Sequence, residues 1–399
     1  MTQTPRVLIA GAGIGGLTAA LALLRAGTDV EIFEQASALE QLGAGIQISA
    51  NGARVLFHLG LQHSLQAVWS EPAGKEVRLW STGQTWKLFD LGAQSRQRYG
   101  APYFMVHRAD LHRVLIEALQ MSGAGKLRLN AKCAGFEQDR HGVNLVLETG
   151  ERIGGDALIG ADGVHSRIRA ELFGPDQPYF TGCMAWRGLI ATERLPRHLR
   201  TPVGTNWIGP GGHVVHYPVR RGELLNFVGI VEREDWQVES WTEQGSVEEC
   251  AGDYRGWNRD VHLLIENIQT PFKWALLGRD PLPRWTVDRV SLLGDAAHPT
   301  LPFMAQGANM AIEDAGVLAR CIGCDRDNIP RALMRYDAAR RERTSRLVLA
   351  AAENTRRFHN PALAEPSAAQ HYVDTEWQEE KIKQRYDWVF EYDALQVPV

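Results

Sequence analysis

Two distant segments, the first of them rich in glycine, hold the residues whose types and spacing could do chemistry. The first, Gly11-Ala12-Gly13-Ile14-Gly15-Gly16, separates a short apolar run from a run of helical composition. Glycines at such spacing permit a tight turn, a close approach of the backbone to phosphate groups and close packing of helix on strand. The free N–H groups and the positive dipole end of the helix favour a pyrophosphate. The segment therefore predicts a dinucleotide site at Gly11, Gly13, Ile14 and Gly16.

Acidic residues follow two other apolar runs at positions that suit the same ligand. The run Asp29–Phe33 reads as a strand and ends at Glu34, about 20 residues after the glycines, where a carboxylate would accept hydrogen bonds from ribose hydroxyls. The second glycine-containing segment, Gly294-Asp295-Ala296-Ala297-His298-Pro299, follows another apolar run. Its Asp295 carboxylate stands where a ribityl chain could lie. Together the two segments predict a bound flavin.

A third segment runs from a short apolar strand through a turn into a basic helix. Asp162 and Gly163 form the turn within the range Asp156–Arg169. Turn propensity alone would explain this Asp-Gly pair. It would not explain the combination with the other two segments.

The three segments, in this order, resemble the fingerprints of the single-component FAD-dependent aromatic hydroxylases, which are flavoprotein monooxygenases. Segments 99–103, 107–112 and 306–315 are similar to those of the salicylate, 3-hydroxybenzoate and 6-hydroxynicotinate hydroxylases within that family. The resemblance implies an α/β fold with a Rossmann-like FAD-binding domain, an antiparallel-sheet substrate domain and a C-terminal helical segment. The expected boundaries are 1–75, 100–180 and 283–350 for the FAD-binding domain, 76–99 and 181–282 for the substrate-binding domain, and 351–399 for the helical segment.

The resemblance also implies roles for residues around the flavin. Asp295 would bind the ribityl hydroxyls, and Arg108 would reach the ribityl or pyrophosphate region. A helix beginning at Gly307 would direct its first amides at the pyrimidine edge of the flavin, where its dipole stabilises negative charge on the reduced ring. The implied cofactor-binding set is completed by Gly45, Asp162, Ala308 and Asn309. No metal ligand is expected.

The chain carries a single dinucleotide segment, although the resemblance implies two nucleotides. In this family NADH or NADPH binds transiently, reduces the tightly and non-covalently bound FAD and leaves, so no second Rossmann unit is required. The reduced flavin then reacts with O2 to give a C4a-hydroperoxide that attacks an electron-rich ring carbon. The absence of a second unit argues against a disulfide reductase.

The middle of the chain predicts a hairpin with two candidate catalytic residues. In His213-Val214-Val215-His216-Tyr217 the two-residue period of a strand places His213 and Tyr217 on one face. A turn at 220–223 leads into a second apolar strand. A His and a Tyr contact the substrate at similar places in the family. His213 would therefore take the phenolic proton or hold the phenolate, and Tyr217 would bind a ring substituent.

Two further residues, Gln47 and Pro302, are expected at the wall of the substrate pocket. Both lie in segments that resemble those beside the isoalloxazine ring in the family. Pro302 stands where some 3-hydroxybenzoate hydroxylases carry a catalytic glutamine, and Gln47 where the 6-hydroxynicotinate enzyme has a histidine. The expected substrate is a small phenolic aromatic acid of the salicylate or 3-hydroxybenzoate type. A hydroxypyridine carboxylate such as 6-hydroxynicotinate is the alternative.

Composition is typical of a soluble enzyme. The 399 residues carry a net charge of -4, with 44% hydrophobic and 23% charged residues, which indicates no nucleic-acid partner. No run reaches the roughly 18 apolar residues of a membrane span and no signal peptide is recognised, so a cytoplasmic protein is expected. A flavin halogenase is disfavoured because Trp186-Arg187-Gly188-Leu189 lacks a WxWxIP-like pattern. A non-enzymatic flavin sensor is disfavoured because no DNA-binding segment is present.

Two segments near the C-terminus prompt expectations about packing. The arginine-dense stretch Arg340–Arg346 is expected to be a solvated helix face. The stretch Tyr386–Asp393 is more aromatic than an exposed tail tolerates. We expect it to pack on its own domain or on a second subunit of a homodimer.

Overall fold

The computed structural model describes residues 4–39, 43–175, 177–233, 235 and 243–399. Its helices are α1 (Ile14–Arg25), α2 (Ala50–His58), α3 (Gln62–Gln66), α4 (Gly92–Tyr99), α5 (Arg108–Ser122), α6 (Arg167–Phe173), α7 (Val247–Asp253), α8 (Arg259–Glu266), α9 (Gly307–Cys324), α10 (Ile329–Phe358), α11 (Pro366–Glu376) and α12 (Glu379–Phe390). Its strands are β1 (Arg6–Ala10), β2 (Asp29–Phe33), β3 (Gly45–Ile48), β4 (Gly74–Leu79), β5 (Thr85–Asp90), β6 (Phe104–His107), β7 (Lys126–Arg128), β8 (Cys133–Gln138), β9 (Val143–Leu147), β10 (Arg152–Gly155), β11 (Ala157–Gly160), β12 (Tyr179–Ala191), β13 (Val203–Gly209), β14 (Gly212–Val219), β15 (Leu224–Glu232), β16 (Phe272–Gly278), β17 (Thr286–Val287) and β18 (Val290–Leu292).

A six-stranded sheet carries the predicted dinucleotide motif. Its order is β17-β18-β11-β1-β2-β7, and every pairing is parallel except that of β17 with β18. The helix α1 returns from β1 to β2 and packs against α5 and α9. Because helices cover a parallel sheet, its strands are apolar runs rather than alternating ones, as β1 shows. The Rossmann-like expectation is confirmed.

A seven-stranded sheet forms the second layer, in the order β16-β12-β15-β14-β13-β4-β5. Its pairings are antiparallel, as predicted, except that β13 runs parallel to β4, which arrives from an earlier part of the chain. One face joins the main core through residues such as Ile208, Tyr217 and Ile230. The other face packs with α7 and α8 around Trp186 and Trp207 in a separate core. The first face is the one turned towards the FAD-binding layer.

The C-terminal segment is helical, as expected, and packs on its own chain. The Phe390 ring lies 5.5 Å from the ring of Tyr99 and 5.9 Å from that of Tyr103. Arg54 donates hydrogen bonds of 2.8 Å to the carbonyl oxygens of Phe390 and Tyr392. Phe390 is thus buried within one subunit, and the other aromatic side chains of the tail are partly buried. The homodimer and the domain boundaries stay predictions.

The expectation of a solvated face at 340–346 is wrong for two of its arginines. Arg340 is fully buried, with its guanidinium 2.6 Å from Glu313 and 2.7 Å from Asp314 of α9. Arg343 pairs with Glu313 at 2.8 Å. The two arginines are three residues apart and share a helix face, and that face packs on α9. Within the described ranges, no helix is both long and apolar enough to cross a membrane.

Candidate active site

The glycines of the first turn divide into two kinds. Gly11 has φ +105°, and a Cβ there would lie 2.3 Å from the carbonyl oxygen of Ala161. A Cβ on Gly16 would lie 2.0 Å from the carbonyl oxygen of Gly11. A Cβ on Gly13, in contrast, would meet nothing within 4 Å. Gly11 and Gly16 thus allow strand and helix to touch, and the open side of Gly13 leaves room for a pyrophosphate at the start of α1.

Glu34 lies directly beside this turn. Its carboxylate accepts a hydrogen bond of 2.8 Å from the Ala12 amide and one of 2.9 Å from the Ala36 amide. A ring nitrogen of His112 is 2.7 Å from the Ala12 carbonyl oxygen on the other side of the turn. Each carboxylate oxygen has a further lone pair. The arrangement is compatible with a ribose contact at Glu34, which stays a prediction.

Three of the predicted flavin-binding residues lie near one another: Arg108, Asp295 and Gly307. Asp295 lies in a 3₁₀ turn at Gly294–Ala296 and its side chain is exposed. Burial lowers the pKa of Arg108, at the first turn of α5, and the charge of Asp295 partly offsets this. A Cβ on Gly307, the first residue of α9, would lie 3.9 Å from an Asp295 carboxylate oxygen. Arg108, Asp295 and the start of α9 therefore adjoin one another.

A second arginine contributes positive potential near Arg108. Arg187 of β12 is buried, and its guanidinium lies 5.3 Å from the Phe272 ring centroid and 5.5 Å from that of Trp274. Burial lowers the pKa of Arg187 to about 10, and repulsion from Arg108 acts in the same direction. Two neighbouring cations suit an anionic ligand such as a pyrophosphate. The chemistry of these residues fits FAD.

The side chain of Asn309 is fully engaged within the protein. Its carbonyl oxygen accepts from the Ser49 amide at 3.1 Å, and its amide nitrogen donates to the carbonyl oxygens of Gln47 and Ala305 at 2.9 Å each. The side chain thus joins β3 to the start of α9. Any flavin contact at Gly307, Ala308 and Asn309 would use backbone N–H groups, which have no partner within the first helical turn.

Asp162 caps a helix. One carboxylate oxygen accepts from the Ser166 hydroxyl at 2.6 Å, and the other accepts from the amides of Arg167 and Ile168 at 2.7 and 3.2 Å. This arrangement explains an aspartate before α6 by local structure. A contact between Asp162 and the cofactor stays a prediction.

The hairpin β14–β15 presents His213 and Tyr217 on the face turned towards the FAD-binding layer. Both side chains are buried, at 1% and 4% exposure. Gly45 of β3 lies against Tyr217, because a Cβ on Gly45 would be 2.5 Å from the Tyr217 ring, and the Gly45 amide donates to Asn226 of β15 at 2.6 Å. The absence of a side chain at Gly45 therefore brings the FAD-binding layer onto the hairpin.

A short polar chain runs from Tyr217 across the same face. Gln47 hydrogen-bonds with Tyr217 and accepts from the Tyr103 hydroxyl at 2.6 Å. The Tyr103 hydroxyl in turn accepts from the Lys75 ammonium at 2.9 Å. Burial raises the pKa of Tyr217, so its hydroxyl stays protonated. Gln47 thus lies beside Tyr217, and its place at the wall of a substrate pocket stays a prediction.

Lys75 was not expected from sequence. Thr205 of β13 pairs with His216 on one side and with Glu76 on the other. Successive residues of a strand face opposite ways. Tyr217 follows His216 and Lys75 precedes Glu76, so Tyr217 and Lys75 share the opposite face of the sheet. Burial lowers the pKa of Lys75 to about 8, and no ion pair with a described residue offsets it. A lysine without a counter-charge among the described residues therefore lies on the same face of the sheet as Tyr217.

His213 lies at the opposite end of this face, among aromatic rings. Its ring centroid is 5.4 Å from that of Phe303 and 5.0 Å from that of Phe358. Phe303 follows Pro302, which is itself exposed. The Nδ1 atom of His213 is 2.7 Å from Nε2 of His359, and its own Nε2 has no hydrogen-bond partner among the described residues. Burial lowers the pKa of His213 far below its usual value, so the ring is neutral.

The segment Gly294–Pro299 is held in place by a buried cluster of ionisable side chains, which comprises its own His298 together with Asp314 and Arg340. A His298 ring nitrogen is 2.6 Å from Asp314, which also accepts from the Gly294 amide at 3.1 Å and from Arg340 at 2.7 Å. The sequence feature that indicates this cluster is the pair of acidic residues, Glu313 and Asp314, in the mostly apolar helix α9. Across the part of the chain that the structure describes, no group of three or more ligand-type side chains could hold a metal ion.

Known proteins of similar sequence show the family to which this chain belongs. A family model described as an FAD binding domain matches residues 4–351. The 3-amino-4-hydroxybenzoate 2-monooxygenase PtnB3 of Streptomyces platensis is 41% identical, over 90% of both chains. The 3-hydroxybenzoate 6-hydroxylase of Polaromonas naphthalenivorans is 37% identical over 88% of both chains, and the 6-hydroxynicotinate 3-monooxygenase of Pseudomonas fluorescens is 37% identical over 89% of this chain and 92% of its own.

Solved structures show the same fold. Klebsiella pneumoniae HpxO complexed with FAD and uric acid has a TM-score of 0.83 and 27% identity, covering 100% of this chain and 98% of its own. A salicylate hydroxylase substrate complex has a TM-score of 0.81 and 27% identity, covering 99% and 97% respectively. The family model spans most of the chain, and the relatives match over nearly their whole length. The chain therefore belongs to the FAD-dependent aromatic-ring monooxygenases.

Proposed function

We propose that the protein hydroxylates a small phenolic aromatic acid of the hydroxybenzoate class, with NAD(P)H and O2 as co-substrates. The observation that most directly supports this proposal is that one face of the sheet presents a neutral histidine, His213, and a lysine without a counter-charge among the described residues, Lys75, with Tyr217 between them. A base and a cation on one face match a ligand that bears both a phenol and a carboxylate. The names of the hydroxybenzoate relatives support the same class.

FAD supplies the redox chemistry when bound: reduced by NAD(P)H, it activates O2 and provides the oxygen atom. The open side of Gly13 and the dipole at the start of α1 would hold its pyrophosphate. Arg108 and Asp295 would bind its ribityl region, and the first amides of α9 would lie at the pyrimidine edge. Glu34 would bind the ribose.

The protein side chains would bind and ionise the substrate. A neutral His213 can accept the phenolic proton at Nε2. The resulting phenolate makes the aromatic ring of the substrate richer in electrons. Lys75 would pair with the carboxylate, and such a charge-assisted bond is worth about 1.5–3 kcal/mol. His213 and Tyr217 are four residues apart, about 13 Å along the strand. Their side chains can therefore contact opposite ends of a ligand one ring wide.

Water must be excluded while the oxygen is transferred. The rings of Phe303 and Phe358 surround His213 and are almost fully buried. An apolar lining at the base lowers the chance that water intercepts the activated oxygen. Pro302, before Phe303, is proposed to line the entrance of the pocket.

A hydroxypyridine carboxylate is the second candidate substrate. The 6-hydroxynicotinate relative favours it, and the proposed contacts from His213 and Lys75 would serve its hydroxyl and carboxylate equally. The two candidates differ in the ring nitrogen, which Gln47 or Tyr217 would meet. We further propose that the enzyme acts in the cytoplasm.

A panel assay tests the proposal. The FAD-loaded enzyme is given NADH or NADPH with 3-hydroxybenzoate, salicylate, 3-amino-4-hydroxybenzoate or 6-hydroxynicotinate, and NAD(P)H oxidation, O2 uptake, H2O2 and product are measured. We expect one of these acids to accelerate NAD(P)H oxidation and yield hydroxylated product in equal amount. Phenol is the control that lacks a carboxylate, and we expect weak binding. Failure of both nucleotides to reduce the flavin would contradict the proposal, as would H2O2 without product for every acid.

A further inference from the structure

Three titratable side chains form a continuous hydrogen-bonded chain from the substrate face to solvent. His213 Nδ1 is 2.7 Å from His359 Nε2, and His359 Nδ1 is 2.9 Å from a carboxylate oxygen of Glu232. The His359 side chain is 1% exposed, whereas that of Glu232 is 54% exposed. We propose that this chain, the proton relay, carries the phenolic proton from the site to water. The proposal rests on the proposed role of His213 as base.

Three elements bring the relay together. The antiparallel register pairs His213 of β14 with Ile230 of β15, so Glu232 lies just beyond that pair at the same end of the hairpin. His359 follows the last residue of α10, and its carbonyl oxygen accepts from the Gly211 amide at 3.4 Å. The end of the long helix is thereby fixed on the turn before β14.

Both imidazoles are neutral and thus suited to pass a proton. Burial lowers the pKa of His213 and of His359, while Glu232 acts on His359 in the opposite direction. A neutral imidazole has one N–H donor and one lone pair, so it can accept at one nitrogen and donate at the other. No buried imidazolium has to persist.

Few other charged or titratable groups adjoin the relay. Cys183 of β12 pairs in register with Glu232, and burial together with that carboxylate raises the pKa of the thiol to about 11. Arg233, the next residue, is held by Asp235 and Asp253. The aromatic neighbours of His213 are Phe303 and Phe358, and its register partners are Ile208 and Ile230. Glu232 is thus the carboxylate that the imidazole pair meets.

The phenolic O–H bond breaks as an N–H bond forms at Nε2 of His213, and His213 releases its Nδ1 proton to Nε2 of His359. His359 releases its Nδ1 proton to the Glu232 carboxylate, which gives it to water. One proton leaves the site, and each ring changes tautomer. Return of a proton along the same path, when the product phenolate is protonated, restores both rings.

The same contacts could serve only to fix α10 on the sheet, and kinetics separates the two roles. Oxidised, FAD-loaded enzyme is mixed with 3-hydroxybenzoate in weak buffer, at a pH where the free phenol is protonated. A pH indicator dye follows proton release to water, and the change in the FAD spectrum follows binding. E232Q keeps the hydrogen bond to His359 but cannot carry a proton. H359N is the second variant, and E223Q, an exposed carboxylate in the same hairpin, is the matched control.

We expect E232Q and H359N to slow proton release by at least about tenfold, which corresponds to about 1.4 kcal/mol in the barrier. Binding and melting temperature of E232Q, and all properties of E223Q, should match the wild type. Wild-type rates of release in both relay variants would overturn the relay, as would binding to the wild type without any release. Normal proton release without hydroxylated product from any panel acid would instead refute the proposed function and leave the relay standing.

Discussion

At the residue scale, the proposed substrate face combines a cation, Lys75, and a neutral imidazole, His213, at separate positions. Lys75 donates to Tyr103, and Gln47 links Tyr103 to Tyr217. Lys75 is partly buried, and removing an ammonium without a counter-charge from water costs free energy. In the proposed complex a bound carboxylate would offset that cost, so the proposed role of Lys75 is substrate recognition rather than stability.

Replacing this cation tests its role. K75M should weaken binding of the carboxylate substrate by about 10- to 150-fold, because one charge-assisted hydrogen bond is worth about 1.5–3 kcal/mol. Its melting temperature should stay equal or rise, since an unpaired buried charge is removed. The measurement is KM for the acid beside thermal unfolding. K87M, at an exposed lysine of β5, is the control, and an unchanged KM in K75M would remove Lys75 from the site.

The pH dependence of binding follows from the same residue. Lys75 is protonated below its pKa of about 8 and loses its charge as the pH rises through that value. Affinity for the carboxylate should therefore be constant at lower pH and fall above about 8, by about tenfold per pH unit until the complex itself titrates. Titrations of the dissociation constant from pH 6 to 10 measure this. K75M should lose the dependence, and a flat wild-type profile would disprove it.

At the element scale, the β1–α1 turn separates packing glycines from a ligand-facing one. Gly16 has the Gly11 carbonyl oxygen where a Cβ would go, whereas Gly13 faces open space. Glycine therefore allows close packing at position 16 and leaves room for a ligand at position 13.

Alanine at these two positions should have different effects. G13A should leave unfolding of the apoprotein unchanged but weaken FAD binding by at least about tenfold, because the new methyl group occupies the space of the pyrophosphate. G16A should destabilise the apoprotein by about 1–3 kcal/mol through overpacking. Thermal unfolding and FAD titration of both apoproteins distinguish these effects. Equal FAD affinity in G13A and wild type would place the pyrophosphate elsewhere.

How much the sequence predicts differs between elements. The βαβ unit and the hairpin could be predicted because each is local: one glycine spacing, one two-residue period. Lys75 could not, since only the parallel pairing of β13 with β4 brings residue 75 beside residue 217. Arg340 and Arg343 were misjudged because their composition resembles a solvated face. Their partners, Glu313 and Asp314, lie on another helix.

At the scale of the whole molecule, the C-terminal segment packs against residues from the first quarter or so of the chain. The tail residues Phe390 and Tyr392 contact Arg54, Tyr99 and Tyr103. Tyr103 is also part of the polar chain that ends at Lys75. The tail thus packs against a residue of the proposed substrate face.

Removing the tail should therefore affect both stability and binding. A variant that ends at Arg385 should lose about 3–5 kcal/mol of unfolding free energy, comparable to deletion of a buried Phe side chain, and should bind the aromatic acid more weakly. Denaturant unfolding and light scattering measure stability and subunit number. E391Q, at an exposed tail residue, is the control. A truncated protein as stable as the wild type would show that the packing seen within one subunit is dispensable.

The central claim is that one oxygen atom from O2 enters the ring of a phenolic acid bound on the face of His213, Tyr217 and Lys75. Mass spectrometry of the product formed under 18O2, with the panel acid that gives the highest coupling, tests it most directly. The account predicts one 18O atom per hydroxylated product in the wild type, and a lower ratio of product to oxidised NAD(P)H in H213N. An unlabelled product, or label acquired only from H218O, would contradict it.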